Sequence, residues 1–283
     1  MKKLKYIVPN TLTLANLLCG CMGIVYAFSE HMLRASLCVG IALLADFLDG
    51  FTARLLNARS ELGKQLDSLA DMVTFGVLPG IMLFQMISIG FGEYFTEIPE
   101  RDHLFAASLG FLIPLFAALR LGKFNIDEKQ GDHFLGLPTP AVALLIASFP
   151  LMLESGYELN YYAPFDAAVF QTLKRVFYWD PWDEWLIAWL LNPRFYIWLA
   201  LLLSALMVLP LHMFSLKFRN LKWADNKLRY TFLLLLAILG IVVALPNIFY
   251  IRWLPYLDYS AIPLAVIIYI LLSFANGIYI KNR

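Results

Sequence analysis

Residues 33–56 read LRASLCVGIALLADFLDGFTARLL, and residues 65–90 read QLDSLADMVTFGVLPGIMLFQMISIG. Each stretch is longer than the roughly 20 mostly apolar residues that a helix needs to cross a bilayer. Together they nevertheless carry four aspartates, and ionisable residues are rare and costly within membrane-spanning segments. The two stretches therefore predict membrane-spanning helices, and their aspartates mark the place where the chemistry of the protein is expected.

The rest of the sequence is similarly apolar. Of the 283 residues, 60% are hydrophobic and 15% are charged, whereas an ordinary soluble domain carries about 25% charged residues. Further apolar stretches occupy residues 10–29, 104–121, 137–154, 195–213, 230–249 and 259–280. We therefore predict an all-α, polytopic transmembrane bundle of about eight spans, and a bundle of six spans is the alternative.

The distribution of charge predicts the orientation of the chain. With the amino terminus in the cytoplasm and an even number of spans, 16 of the 22 basic residues lie on the cytoplasmic side. That excess agrees with the positive-inside rule, so both termini are expected in the cytoplasm. The net charge of +1 gives no basis for a nucleic-acid partner, and none is expected.

The chain divides into three parts. Residues 1–154 hold the aspartates and are expected to form the catalytic transmembrane core. Residues 155–194 form the longest loop and are rich in Tyr, Trp and Phe, which suits a helix lying in the headgroup layer; an exported lid is the alternative. Residues 195–283 are expected to add further transmembrane helices.

The four aspartates are spaced so that each pair shares one helix face. Asp46 and Asp49 are three residues apart, and Asp67 and Asp71 are four apart. Each ionised carboxylate at mid-bilayer costs about 2.5–3.5 kcal/mol, so four cost on the order of 10 kcal/mol before their mutual repulsion is added. A bound cation would offset that cost, and carboxylate oxygens suit magnesium, manganese or calcium.

Small and basic residues lie beside the aspartates. Gly50, Ala53 and Gly63 would let a flat or phosphorylated ligand approach the helix backbone, or they serve ordinary packing between membrane helices. Arg54 would pair with a phosphate, or its side chain extends to the lipid headgroups.

Taken together, residues 46–71 read Asp-x-x-Asp-Gly-x-x-Ala-Arg, then eight residues, then Gly-x-x-x-Asp-x-x-x-Asp. This string resembles the signature of the CDP-alcohol phosphatidyltransferase family at every fixed position. The resemblance implies an integral membrane enzyme, which we expect to be a homodimer. We expect it in the cytoplasmic (inner) membrane, with its active site facing the cytoplasm. Such an enzyme transfers a phosphatidyl group from a CDP-linked lipid to an alcohol and releases CMP.

The resemblance also implies roles for individual residues. Two divalent cations, Mg²⁺ or Mn²⁺, would be bound by the aspartates, and the last aspartate, Asp71, would be the general base that also shares a metal. The metal ligands would be Asp46, Asp49, Asp67 and Asp71, and the CDP-lipid would contact Gly50, Ala53, Arg54 and Gly63.

Four further blocks narrow the expected acceptor. Residues 9–17, 68–79, 118–125 and 136–141 resemble segments of the phosphatidylserine synthases of this family, which implies CDP-diacylglycerol and L-serine as substrates. The third block departs from the usual arginine-leucine-alanine-arginine-phenylalanine-asparagine, because Gly122-Lys123 stands at its second pair. The positive charge is kept there, but the planar fork of a second arginine is lost.

The carboxylate of serine would be bound by basic and polar side chains near the aspartates. The candidates are Arg120, Lys123, Asn125 and Thr74. Membrane anchoring is the alternative for the two basic residues, and a hydroxyl bonded to its own helix is the alternative for Thr74.

Two other functions remain open at this point. The same chemistry could use glycerol 3-phosphate or inositol phosphate as the acceptor. A cation or proton transporter would also use intramembrane carboxylates, although the sequence lacks the repeated halves that are typical of transporters.

Overall fold

The structure is a computed structural model that describes residues 4–58, 60–93, 100–126, 133–157, 188–214, 223–248 and 257–281. Eight long helices lie within these ranges, and each predicted apolar stretch overlaps one of them. The helices are α1 (Ile7–Phe28), α2 (Met32–Leu55), α3 (Glu61–Gly90), α4 (Arg101–Ile126), α5 (Thr139–Tyr157), α6 (Pro193–Val208), α7 (Trp223–Ile248) and α8 (Leu257–Lys281).

The first four helices are long and apolar enough to cross a membrane. Shorter apolar segments lie in α5, α6 and α8. Four helices of this length and composition are typical of an integral membrane protein. The number of crossings and the side on which the termini lie stay predictions.

Helix α3 is the central element of the bundle. Within its most apolar stretch 72% of the residues are buried, against 28% for α1. The largest enclosed side chains of α3 include Phe75, Leu78 and Met82, which belong to the same buried cluster as Ile146 of α5. The helix that carries Asp67 and Asp71 is therefore held from several sides.

A short turn joins α2 to α3. Asn57 adopts a left-handed backbone conformation with φ of 48°, which asparagine tolerates just beyond a helix end. The Ser60 side chain then caps α3 by accepting a hydrogen bond of 3.0 Å from the backbone N–H of Gly63. The turn lets the aspartates of α2 and α3 meet at the same end, while both helices pack against α1.

The middle of α3 is a π-helical segment, Met72–Val77. Pro79 follows it after one residue, Leu78. Proline has no N–H to donate, and its ring crowds the carbonyl four residues earlier. The wider turns accommodate the proline without ending the helix, as single π-helical turns do elsewhere. The segment begins immediately after Asp71, so Asp67 and Asp71 both lie on the regular α-helical part of α3.

Helix α1 packs against its neighbours through small and polar side chains. Its buried residues recur at helical spacing and are Pro9, Thr13, Asn16, Gly20, Gly23 and Ala27. A side chain at Gly20 would overlap Thr74 of α3. The glycine therefore allows the two backbones to approach closely near the aspartates.

Two short strands depart from the all-α prediction. β1 (His133–Leu135) and β2 (His212–Phe214) pair antiparallel. Each strand has only three residues, which is too short for an alternating pattern to predict it. The pairing joins the segment before α5 to the segment after α6.

The predicted aromatic loop falls largely outside the described residues, since the structure does not describe residues 158–187. Its interfacial or lid role stays a prediction. The division at residues 154 and 194 likewise stays a prediction.

Candidate active site

Three of the four predicted carboxylates converge at one end of the bundle. Asp46 and Asp49 of α2 and Asp67 of α3 each place one carboxylate oxygen within 4.8 Å of the other two. Hard oxygen atoms at this separation, contributed by two helices, fit a shared divalent cation. The acidic cluster could therefore hold a metal, and the residues present suit one chemically.

Asp49 is the most enclosed of the three, with 5% of its surface exposed. Its Oδ2 accepts a 2.6 Å hydrogen bond from the Thr13 hydroxyl of α1. One carboxylate oxygen is thus fixed by a neighbouring helix.

Asp71 lies beside this cluster and is not one of its three members. Its Oδ1 accepts a 3.2 Å hydrogen bond from the Asn16 side-chain amide of α1. The carboxylate is close enough to Asp46 and Asp67 to interact with both electrostatically. The structure therefore separates a cluster of three carboxylates from a fourth that has its own partner.

Thr13 and Asn16 are site residues that the sequence reasoning missed. They are three positions apart on the buried face of α1, within the block of residues 9–17. A polar side chain on the buried face of an apolar helix needs a partner, because an unpaired polar group there is costly. That signal was present in the sequence, but it could not say which residues the partners would be.

The predicted lipid-binding residues fall into two groups. Gly50 is exposed, and a Cβ there would meet no atom of the described residues within 4 Å. Ala53 is partly exposed one turn further on, while the exposed Arg54 donates from Nε to the Gly50 carbonyl at 2.9 Å. Gly63 instead lies in the capped turn, where a Cβ would be 3.1 Å from the Ser60 hydroxyl. Open space for a ligand thus exists at Gly50, whereas the turn itself explains Gly63.

Arg120 lies inside the bundle. Only 9% of its surface is exposed, and its Nε has no hydrogen-bond partner within the described part of the chain. Asp71 lies near enough for its negative charge to act on the guanidinium. Because so enclosed a side chain does not extend to the headgroups, the anchoring interpretation does not describe Arg120.

The other predicted acceptor residues have different surroundings. Lys123 is exposed. The Asn125 amide donates to the Ser68 hydroxyl at 2.9 Å and so ties the end of α4 to α3. The Thr74 hydroxyl is buried and donates to the Asn16 carbonyl at 3.1 Å, so its partner lies on α1 and not on its own helix. Of the four candidates, Arg120 combines enclosure with proximity to Asp71.

Comparison with known protein families identifies a similar family. A family model described as CDP-alcohol phosphatidyltransferase matches residues 6–189. The match includes α1 to α5 and all four aspartates, and it ends before α6 begins at Pro193.

Curated relatives are similar over about half of the chain. The CDP-diacylglycerol–serine O-phosphatidyltransferase of Helicobacter pylori is 34% identical over 154 residues, which cover 54% of this chain and 60% of that protein. The protein of the same name from Bacillus subtilis is 33% identical over 154 residues, with coverages of 53% and 81%. The archaetidylserine synthase of Methanothermobacter thermautotrophicus is 33% identical over 147 residues, with coverages of 51% and 58%. The chain thus spans about 60% of the length of the Helicobacter relatives that it matches.

Proposed function

Because the chain belongs to the CDP-alcohol phosphatidyltransferase family, we propose that it transfers the phosphatidyl group of CDP-diacylglycerol to the hydroxyl of L-serine. The products are phosphatidylserine and CMP. The observation that carries this proposal is the convergence of three carboxylate oxygens from two helices within 4.8 Å, with Asp71 and the buried Arg120 beside them. The names of the relatives from Helicobacter and Bacillus support serine as the acceptor.

Asp46, Asp49 and Asp67 are the proposed metal ligands. Two divalent cations, Mg²⁺ or Mn²⁺, would supply the positive charge that binds the diphosphate and stabilises the leaving CMP. Thr13 keeps one oxygen of Asp49 oriented through its hydrogen bond. Ligands held in this way lose little freedom when the substrate binds.

The exposed surface around Gly50 is the proposed place for the cytidine. A flat base can approach the helix there because no side chain of the described residues lies within 4 Å of a Cβ built on the glycine. Ala53 extends this surface, and Arg54 is near enough along the helix to neutralise a phosphate. Gly63 contributes by leaving room for the Ser60 hydroxyl that caps α3.

Asp71 is the proposed general base. It takes the proton from the acceptor hydroxyl while the hydroxyl oxygen attacks the phosphorus of the phosphatidyl group and the bond to CMP breaks. A positioned base of this kind contributes typically ~10²–10⁴ in rate. Its place beside the three-carboxylate cluster, with Asn16 holding one oxygen, leaves the other oxygen for this task.

Arg120 is the proposed partner of the serine carboxylate. The Nε of its enclosed guanidinium has no hydrogen-bond partner among the residues that the structure describes. A charge-assisted hydrogen bond in such surroundings is worth roughly 1.5–3 kcal/mol. The exposed Lys123 would add a weaker, longer-range attraction. Asn125 and Thr74 support the surrounding helices in this proposal.

The same proposal extends to the cellular setting. The basic residues predict that the aspartate end faces the cytoplasm, where serine and CMP are soluble. We place the protein in the cytoplasmic (inner) membrane and expect a homodimer by resemblance to its family.

An acceptor panel tests the proposed function. The full chain, purified in lipid nanodiscs, is given CDP-diacylglycerol with serine, glycerol 3-phosphate or inositol phosphate, and CMP release is measured with and without a chelator. Of the three acceptors, we expect only serine to give CMP release. This release should stop when the chelator is added and return when Mg²⁺ or Mn²⁺ is supplied. Release with another acceptor would reassign the substrate. Release in metal-free buffer would contradict the metal requirement, and no release with any acceptor would favour a transporter.

A further inference from the structure

Asn16 of α1 carries a buried hydrogen-bond acceptor beside Asp71. The residue is 0% exposed, and its Nδ2 donates a 3.2 Å hydrogen bond to Asp71 Oδ1. An ionised carboxylate only accepts hydrogen bonds, so the amide nitrogen must face Asp71 and the amide oxygen is the atom left over. That Oδ1 has no hydrogen-bond partner among the described residues. Because a buried acceptor without a donor is costly, a ligand that donates to it would bind there favourably.

Two contacts with α3 fix the position of Asn16. Its backbone carbonyl accepts a 3.1 Å hydrogen bond from the Thr74 hydroxyl, and its side-chain amide is held by Asp71. Gly20, one turn further along α1, leaves the room that Thr74 needs, because a Cβ there would overlap the Thr74 side chain. Turning the amide over would bring its oxygen against the Asp71 carboxylate, and two acceptors cannot bond to each other. Oδ1 is therefore a preorganised acceptor next to Asp71.

The proposed reaction brings a strong donor to this place. When the hydroxyl of serine lies against Asp71, the ammonium is on the neighbouring carbon atom and so lies close to Asn16. An ammonium has three donors and no acceptor, which matches an amide oxygen that needs a donor. Glycerol 3-phosphate and inositol phosphate carry neutral hydroxyls on the neighbouring carbon, and hydrogen bonds from neutral donors are about half as strong as charge-assisted ones.

A divalent cation is the alternative partner, since amide oxygens can bind one. The three carboxylates that converge within 4.8 Å are those of Asp46, Asp49 and Asp67. Asn16 instead contacts Asp71, which is not one of these three. The position of Oδ1 therefore favours the ammonium of the acceptor over the metal.

We propose that Asn16 Oδ1 accepts a hydrogen bond from the ammonium of serine and so makes the site selective for amino alcohols. The proposal rests on the proposed function, in which the serine hydroxyl gives its proton to Asp71. The amide of Asn16 then has two tasks, because its nitrogen orients the general base and its oxygen binds the acceptor. With Arg120 on the serine carboxylate, the two charged groups of the acceptor are recognised by different helices.

Asn16→Leu and Asn16→Asp form a matched pair of variants for the test. Both have nearly the shape of asparagine, and both lose the amide N–H that orients Asp71, so kcat should fall in each. Aspartate keeps an acceptor oxygen, whereas leucine does not. We expect the KM for serine to rise about tenfold or more in Asn16→Leu, the size expected for a hydrogen bond to a charged group, and less than about threefold in Asn16→Asp. CMP release by the full chain in lipid nanodiscs gives both constants.

The control acceptor is 3-hydroxypropionate, which keeps the hydroxyl and the carboxylate of serine but lacks the ammonium. Measured as an acceptor and as a competitor of serine, it should bind the wild type about tenfold more weakly than serine does, and Asn16→Leu should not weaken its binding further. Binding to the wild type as tight as that of serine would overturn the proposal.

Two further results would also overturn it. One is a KM for serine that is unchanged in Asn16→Leu or that rises equally in both variants. The other is a higher Mg²⁺ requirement in Asn16→Leu than in Asn16→Asp, which would assign Oδ1 to the metal. Failure of the proposed function is distinguishable from all of these, because the wild-type chain would then release no CMP with serine.

Discussion

The two ends of the helix bundle are held together in different ways. At the aspartate end, polar side chains bond across helices: Thr13 to Asp49, Asn16 to Asp71, and Ser68 with Asn125. The opposite end contains a small apolar cavity of about 40 Å³, and its lining includes Met32, Met86, Leu153 and Tyr196. There Ser88 bonds within its own helix, to the Phe84 carbonyl.

The aspartate end is thus suited to catalysis, whereas the opposite, apolar end mainly stabilises the bundle. Burying like charges side by side is unfavourable until a cation or a substrate compensates them. Apolar packing carries no such penalty and stabilises the bundle without a ligand. We infer that the aspartate end gives up some stability of the metal-free protein so that it is preorganised for its substrates.

The largest expected effect follows from removing one member of the carboxylate cluster. Asp67→Asn should lower kcat/KM by more than about 10³-fold. A single hydrogen-bond donor that stabilises a transition state already contributes a factor of ~10²–10³ in rate, and the loss of a metal ligand weakens cation binding as well. CMP release and CDP-lipid binding measure the two parts of the loss.

The same variant should be at least as stable as the wild type without metal. Asparagine has nearly the shape of aspartate and removes one of the repelling charges. Thermal unfolding in chelator checks this, with Glu61→Gln as a control that removes an exposed carboxylate from the same helix. A clear loss of stability in Asp67→Asn would mean that the carboxylate is structural, and the contrast between the two ends would fail.

Asp71 should behave differently from the cluster. Asp71→Asn is expected to reduce turnover about 10²- to 10⁴-fold, the contribution of a general base, while most of the affinity for CDP-diacylglycerol is kept. Binding of CDP-diacylglycerol measured beside single-turnover rates separates the two quantities. If lipid binding fell as far as in Asp67→Asn, Asp71 would belong with the metal ligands.

A smaller effect is expected at the helix that supports Asp71. Asn16→Ala removes the amide that donates to Asp71, and hydrogen bonds to charged groups contribute about 1.5–3 kcal/mol. Turnover should therefore fall roughly 10- to 100-fold, since about 1.4 kcal/mol corresponds to a factor of ten.

The control for Asn16→Ala is Ser36→Ala. Ser36 is equally buried, 3% exposed, but its hydroxyl has no hydrogen-bond partner in the part of the chain that is described. Its removal should leave turnover unchanged. Equal losses in the two variants would indicate a general packing defect and not support of Asp71.

Much of the aspartate end could be predicted from sequence, because the relevant information is local. The spacings between Asp46, Asp49, Asp67 and Asp71 fix which helix face each occupies, and the short turn keeps the end of α2 near the start of α3. What local spacing could not give was the separation of Asp71 from the other three. Asp71 has its own partner in Asn16, a residue 55 positions away.

The surroundings of Arg120 could not be predicted in the same way. From sequence it stands near the cytoplasmic end of an apolar stretch, as an anchoring arginine would. Arg120 lies on α4, which packs against α3 and against α6, a helix that begins only at Pro193. Contacts between residues so far apart are set by how the helices pack. Neither the periodicity nor a motif of a single helix predicts them.

The smallest expected effect lies away from the aspartates, in the connection after α3. The His103 ring bonds to the Glu93 carboxylate at 2.7 Å and stacks on Phe91 with a centroid separation of 4.4 Å. The hydrogen bond lowers the pKa of the Glu93 carboxyl from its ordinary value of 4.5. A carboxyl whose pKa is lower in the folded state stabilises the protein above its unfolded pKa, and that contribution is lost as the pH falls through the folded value.

Glu93→Gln should therefore lower the thermal midpoint by no more than about 2 °C near pH 6, because an accessible pair of this kind is screened by solvent. The difference from the wild type should shrink as the pH falls below about 4.5, where glutamate in the unfolded chain becomes protonated. CMP release at pH 7 should be unchanged, because the pair links the connection after α3 to the start of α4 and touches none of the four aspartates. A loss of activity comparable with that of Asn16→Ala would show that the two ends are coupled, and the division of the bundle into a chemical end and a supporting end would have to be abandoned.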